Sequence, residues 1–380
     1  MSDVFESIFG QSAVREFLRA SVLSGKVSHA YLFTGPVGSN KNAAAYAFAQ
    51  AILCKDQGCQ ECDSCKRVMR RKHPDVRFFS PEGVGGYLVE QIRSLVADTA
   101  LAPIQAERKV YILDRVDLLG TQAANAFLKT LEEPPSDVVL ILMGRTRESV
   151  LPTIVSRCQV VPFRHIPAHE AAAILTQNSG ASPLLANIAI QACGGSITKA
   201  AEFLRSNERM SFRSRVLEVM DSLALADDWD VLTYSEDLVV KAKAPLDAVR
   251  AFQEGELAES ADFLSKGALR QIEARHKRSL SAAAIESLGQ TNAIIRSWLR
   301  DVMMVCAGCP ELVINEDVRP AIEDAARKTS LGRAAQALES CHVADKALLY
   351  NVSPQTCIDA LLYEIREVLY GSHSTSKAAI

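Results

Sequence analysis

Three groups of side chains in this sequence have the types and spacing to do chemistry. The first is Cys54-x₄-Cys59-x₂-Cys62-x₂-Cys65. Four soft thiolate donors this close suit a tetrahedral zinc ion, and using all four positions closes the site to water, which makes it structural. An iron–sulfur cluster is the rival, because C-x₂-C-x₂-C also occurs in ferredoxins. The ferredoxin run, however, continues to a fourth cysteine followed by proline, and here Lys66-Arg-Val-Met follows. The second group is the loop Gly35-Pro-Val-Gly38-Ser-Asn-Lys41-Asn42, which resembles the phosphate-binding pattern G-x-x-x-x-G-K-[ST]. Gly35 and Lys41 are in place. Asn40 stands where the second glycine belongs, and Asn42 where a hydroxyl would hold magnesium.

Two charged residues complete the inventory. Asp114 closes the apolar run Lys109-Val-Tyr-Ile-Leu113, where nucleotide hydrolases place a magnesium-binding carboxylate. A hydrolase needs a second acid next, and this chain has Arg115, which cannot accept a proton and repels a metal. Asp114 alone also reads as a turn residue ending a strand. Arg157, in Ser156-Arg157-Cys158, is an ordinary solvated arginine or one placed to reach a neighbour's phosphate. The phosphate loop itself reads either as a fossil that only holds a turn or as a site for nucleotide. The pair Cys306-x₂-Cys309 lacks partners and reads as two ordinary cysteines. The run Arg275-His-Lys-Arg278 reads as a solvated helix face.

The elements that must position these groups are legible in the hydrophobic pattern. Short apolar strands are expected at 30–34, 76–79, 109–113, 138–143 and 159–163, separated by helical patterns. Continuous apolar strands alternating with helices predict a mostly parallel sheet covered on both faces, an α/β fold. Ligands of such sheets bind beyond the strands' C-terminal ends, where the glycine loop and Asp114 fall. After Pro167 the strand signals stop. Residues 167–206 predict short helices broken at Gly180, Pro183 and Gly194-Gly195, and a further helical stretch runs from about 210 to 369. The tail 371–380 is small and polar and predicts disorder.

Bulk properties narrow the classes. The chain has 380 residues, 48% hydrophobic and 23% charged, enough for two or three domains with a sizeable core. The net charge of −3 gives no global field for nucleic acid. No basic leader or membrane-length apolar run is visible, and four of the ten cysteines crowd together rather than forming a disulfide framework. A reducing, cytoplasmic setting is the expectation.

Taken together, Gly10-Gln11, His29-Ala-Tyr-Leu-Phe-Thr-Gly-Pro36, the four cysteines, Asn125-Ala-Phe-Leu-Lys-Thr-Leu-Glu-Glu-Pro-Pro135 and Ser156-Arg-Cys158 resemble the bacterial clamp-loader subunits of the AAA+ class. The likeness is dense over 4–165, fair over 166–206, and thin beyond, where Ser297-Trp-Leu-Arg-Asp301 and Asn351-Val352 carry it. It implies a RecA-like domain over 1–165 with a zinc excursion, a helical lid over 166–208 and a helical collar over 209–370 that joins a ring. It implies that Cys54, Cys59, Cys62 and Cys65 hold structural zinc, and that Arg157 is a finger completing the ATP site of the next subunit. The ATPase members, gamma/tau, would carry an intact loop, an acidic pair after the strand, and an arginine after the lid's Gly-Ser. This chain has Asn40, Asn42, Arg115 and Thr198. The resemblance therefore implies a non-catalytic member with gamma/tau and delta subunits, a sliding clamp and primed DNA as partners, and no membrane. A weakly active gamma/tau-like ATPase, a subunit binding ATP or ADP through Gly35, Gly38, Lys41 and Asp114 without hydrolysis, and a stand-alone zinc-dependent DNA-binding regulator are the alternatives. The acidic balance and the lack of an aromatic-basic stripe in the sequence count against the last.

Overall fold

The computed structural model describes residues 3–83, 86–260, 266–349 and 352–371. The tail expected to be disordered lies, apart from Gly371, outside them. The chain divides into two compact units, Met1–Ile174 with Gly195–Thr198, and Leu175–Gly194 with Lys199–Ile380.

The first unit begins with a 3-10 turn, Val4–Ser7, and continues as α1 (Ser12–Leu23), β1 (Ala30–Thr34), α2 (Lys41–Leu53), α3 (Asp63–Met69), β2 (Val76–Phe79), α4 (Val89–Thr99), β3 (Lys109–Leu113), α5 (Thr121–Glu132), β4 (Val138–Gly144), α6 (Pro152–Val155), β5 (Gln159–Pro162) and α7 (Ala168–Ser179), within which the division falls. All five expected strands are present. They form one parallel sheet in the order β2-β3-β4-β1-β5.

Burial on both faces explains why β1, β3 and β4 are apolar throughout. Alternate residues serve different cores, as the period of two requires. Tyr31, Phe33, Val110, Ile112, Val139 and Ile141 pack with α1 and α2. Ala30, Leu32, Tyr111, Leu113, Leu140 and Leu142 pack with α4, α5 and α6 on the other side.

One buried carboxylate fixes the edge of this unit. Asp75, fully buried, follows the cysteine-bearing excursion and accepts N–H bonds from Ile104, Gln105 and Ala106 at 2.6, 2.8 and 2.9 Å. Burial pushes its carboxyl up, but the three N–H bonds outweigh that and hold it below the usual carboxylate range.

The second unit is helical: α8 (Pro183–Ala192), α9 (Ile197–Arg205), α10 (Asn207–Ser222), α11 (Asp228–Ser260), α12 (Lys266–Cys306), α13 (Arg319–Lys328), α14 (Leu331–Leu349) and α15 (Pro354–Tyr370). The long α12 packs against α10, α11, α13 and α14 around the fully buried Trp298. The Ser297–Asp301 phrase has a physical purpose here. Asp301 is buried and accepts the Ile314 and Asn315 N–H groups at 3.0 and 2.8 Å, and Asn315 also accepts from buried Arg213 at 2.7 Å. The buried Asp301 charge is tolerable because these N–H groups, with Arg300 Nη1 at 2.8 Å, donate to it.

Asp75→Asn replaces an acceptor of three bonds with a group that can accept at only one atom and turns N–H against N–H. We expect a loss of about 2–3 kcal/mol of unfolding free energy in urea. Because Asp75's folded pKa lies below its unfolded value, its contribution is present above the unfolded pKa of about 3.9 and is lost as pH falls through the folded one. The stability difference between wild type and Asp75→Asn should therefore shrink at the acid end of a pH series of urea midpoints.

Candidate functional site: an altered phosphate loop, an arginine and a cysteine cluster

The glycine loop leaves the C-terminal end of β1 and enters α2. Gly35 has a reason to be glycine that needs no phosphate, since a Cβ there would sit 2.6 Å from the Phe163 carbonyl oxygen. Gly38 and Asn40 are both left-handed, at φ 82° and 69°. Asn tolerates this conformation better than other residues with a side chain, so the substitution keeps the backbone path. Asn40 also donates through Nδ2 to the Ser7 carbonyl at 3.1 Å, which ties the N-terminal turn to the loop.

Lys41 does not reach outward. Its ammonium donates to the Gly35 carbonyl, to the Pro36 carbonyl at 2.9 Å and to Ser39 Oγ at 3.4 Å, so it closes its own loop. Burial lowers its pKa, with Asp114 and Asp117 pulling the other way. Asp114, beyond β3, is pushed up by burial and drawn down by Arg115 and Lys41. Lys41 and Asp114 feel each other's charge without meeting as an ion pair. Asn42 is exposed on the first turn of α2. Arg115 is itself left-handed, φ 52°, and its Nε is buried without a hydrogen-bond partner. That combination carries strain and an unmet donor where a hydrolase would hold an acid.

Gln11 is a residue whose role the sequence did not disclose. It is buried, donates through Nε2 to the Ser39 and Arg164 carbonyls at 3.0 and 2.8 Å, and accepts the Arg164 N–H at 3.1 Å. It thus pins the loop to the segment after β5. The Gly10-Gln11 phrase was the available signal, but a glutamine between two carbonyls far apart in sequence cannot be read from spacing.

Arg157 follows α6 and precedes β5. Its Nε donates to Glu132 Oε1 at 2.8 Å, its Nη2 donates to the same oxygen, and its Nη1 reaches the Thr153 carbonyl at 2.8 Å and Ser156 Oγ at 3.2 Å. The side chain is about one-third exposed (32%). Glu132 ends α5 and belongs to the Leu-Glu-Glu-Pro-Pro phrase, and its partnership with Arg157 was also hidden in the sequence. The parallel register decides what Arg157 can reach. Tyr31 of β1 faces Gln159 of β5, so Arg157 sits at the strands' N-terminal edge and the glycine loop at the C-terminal edge. About five strand residues at ~3.3 Å each separate the two. Arg157 cannot serve the loop of its own chain.

The four cysteines lie at the end of α2, across a turn, and on α3. Their sulfurs are within 4.8 Å of one another. Cys54 and Cys59 are 3.6 Å apart, Cys54 and Cys62 3.7 Å, and Cys59 and Cys65 4.0 Å. A tetrahedron of sulfurs about a zinc ion at ~2.3 Å has edges of ~3.8 Å, so the set matches a single-ion cage. The turn needs left-handed Gln57, Gly58 and Gln60, and at Gly58 a Cβ would fall 2.4 Å from Val4 Cγ1. The N–H groups of Cys62 and Cys65 point at the sulfurs of Cys59 and Cys62, each at 3.4 Å. The N–H groups of Cys62 and Glu61 lower the Cys59 thiol to about 7, while burial pushes Cys62 and Cys65 up. Four sulfurs so close cannot all ionise unaided, and a divalent cation removes that conflict. His73 is not part of the set, since its Nδ1 accepts the Asp75 N–H and its Nε2 faces Ser64 Oγ, both at 3.1 Å.

The site thus sits on a five-stranded parallel sheet of order β2-β3-β4-β1-β5, in an α/β unit followed in the chain by a helical one. Residues 10–167 match the family described as DNA polymerase III, delta subunit. The chain is 31% identical over 216 residues to DNA polymerase III subunit delta' of Bacillus subtilis (strain 168), covering 56% of this chain and 65% of that protein. It is 36% identical over 188 residues to subunit delta' of Pseudomonas aeruginosa, covering 44% and 57%. To DNA polymerase III subunit tau of Bacillus subtilis it is 34% identical over 230 residues, covering 58% and 40%. The matches thus span less than two thirds of the length of each relative. Over these stretches the chain is similar to subunits of bacterial DNA polymerase III, delta' and tau proteins among them.

Metal analysis of the purified chain should find about one zinc and no iron per molecule. Cys65→Ser should abolish stoichiometric binding, and chelation should lower the thermal midpoint of the wild type but not of that variant.

Proposed function

We propose that this chain is a non-catalytic, delta-prime-type subunit of a cytoplasmic clamp loader. It would donate Arg157 in trans to the ATP site of an adjacent gamma/tau subunit. With the delta subunit it would help open the sliding clamp and place it on primed DNA. The observation that carries the reading is the separation of Arg157 from the chain's own phosphate loop across the parallel sheet. The altered loop supports it too. Lys41 is engaged by the loop's own carbonyls, Asn42 is a poor magnesium ligand, and Arg115 replaces the acid that would orient water.

A guanidinium suits this role because it is planar, always charged and able to offer two parallel donors to phosphate oxygens. The pair it makes with Glu132 is partly exposed, and such pairs hold their partners weakly, by about 0–1 kcal/mol. A neighbour's γ-phosphate could displace the carboxylate. In this reading the cysteine cluster holds zinc as a brace for the excursion, and the first 165 residues, a lid over 166–208 and a collar over 209–370 act as separate parts.

The test is ATP turnover, stimulated by clamp and primed DNA, in a complex reconstituted from gamma/tau, delta and this chain. Arg157→Ala should leave the complex assembled and cut turnover at the site it completes by about 10³-fold or more. The chain alone should hydrolyse nothing. Turnover by the isolated chain that disappears in Lys41→Ala, or full activity with Arg157→Ala, would return the protein to the ATPases.

A further inference from the structure

The segment after the cysteine cluster carries Lys66, Arg67, Arg70, Arg71, Lys72 and Arg77 against a single acid, Asp75. That acid is buried with its oxygens taken by backbone N–H groups. In a chain of net charge −3 this is a local excess of positive charge. Arg67 is paired with Asp63 at 2.7 Å, and Arg77 lies 3.7 Å from Asp98. Lys66, Arg70 and Lys72 are exposed, and no ion pair engages them among the described residues. A zinc tetrathiolate beside them would carry a charge of −2, which these cations and Arg71 exceed.

Cations alone would suit any polyanion. A second feature narrows the class. Arg71 lies over the Tyr46 ring, 4.9 Å from its centroid, and Tyr46 stacks on Phe78 with centroids 6.2 Å apart and planes 21° from parallel. Phe78 is on β2, an edge strand of the sheet, and the residue is 40% exposed. Three flat groups from α2, the turn after α3 and β2 therefore form a stack that ends at the surface beside unpaired cations. Duplex phosphates do not need a flat surface, and neither does an acidic peptide. An unpaired base does.

We propose that this face binds single-stranded nucleic acid, with Lys66, Arg70 and Lys72 on the phosphates and Phe78 and Arg71 stacking with unpaired bases. The surface is remote in sequence from Arg157 and its function does not depend on the trans-acting role.

The test is fluorescence anisotropy of a labelled oligothymidylate of about 20 nucleotides with the full zinc-loaded chain over a salt series. Replacing Lys66, Arg70 and Lys72 together by alanine should weaken binding at least 10-fold. It should also flatten the slope of log K against log salt by about 2, near 0.7 for each phosphate no longer neutralised. Phe78→Leu, which keeps apolar bulk without a flat face, should weaken binding about 10-fold and leave the slope unchanged. Circular dichroism and zinc content matching wild type confirm that each variant is folded, and Arg71→Ala supplies the stacking test should Phe78→Leu not fold. Binding unaffected by the triple replacement overturns the proposal. So does equal affinity for a duplex of the same length, or for polyaspartate, with Phe78→Leu and Arg71→Ala silent.

Discussion

Two parallel strands lying side by side determine what this molecule can do. Because β1 and β5 run in the same direction and in register, whatever leaves the end of one is far from whatever enters the start of the other. The glycine loop leaves β1 and Arg157 enters β5. A guanidinium and a phosphate site can then belong to one chain and never to one reaction within it. Chemistry joining them needs two chains, each offering an opposite edge of its sheet. The proposed ring is compatible with that geometry, and under the proposal a member with an altered loop still offers its arginine to a neighbour.

The altered loop keeps its shape through contacts of its own. Gly35 is required by the approach of Phe163, and Asn40 supplies the left-handed turn that a glycine would supply. Gln11 holds the loop's backbone from the side, and Lys41 satisfies its carbonyls from within. None of these interactions involves a phosphate. The positions that depart from the pattern, Asn42 and Arg115, are those that serve magnesium and water in a hydrolase. The scaffold and the reaction are held by separate residues, so one can persist without the other.

That separation also explains what could be read from the sequence. The five strands were legible because a sheet covered on both faces demands unbroken apolar runs such as Val138–Met143. The cysteine cluster was legible because its ligands are close in the chain. Arg157 stood out only through a resemblance, since a lone arginine has no spacing signal. Its partner Glu132, 25 residues away in sequence, and the bridge made by Gln11 across 153 residues depend on the sheet being assembled first. Asp75 is similar. Its type suggests a surface acid, and only the fold brings three N–H groups to it.

The same reasoning applies to charge. A net charge describes the whole surface at long range, where salt screens it within roughly 8–10 Å. Binding depends on what lies within that distance. No aromatic-basic stripe exists in the sequence, because Tyr46, Arg71 and Phe78 come from a helix, a turn and an edge strand. They become neighbours in the fold, where the excursion that carries the four cysteines leads into β2. The cysteine cluster, whose four sulfurs suit a structural metal, directly precedes the most basic stretch of the first unit. A site can be built by the element that folds it without either partner containing the other's signal.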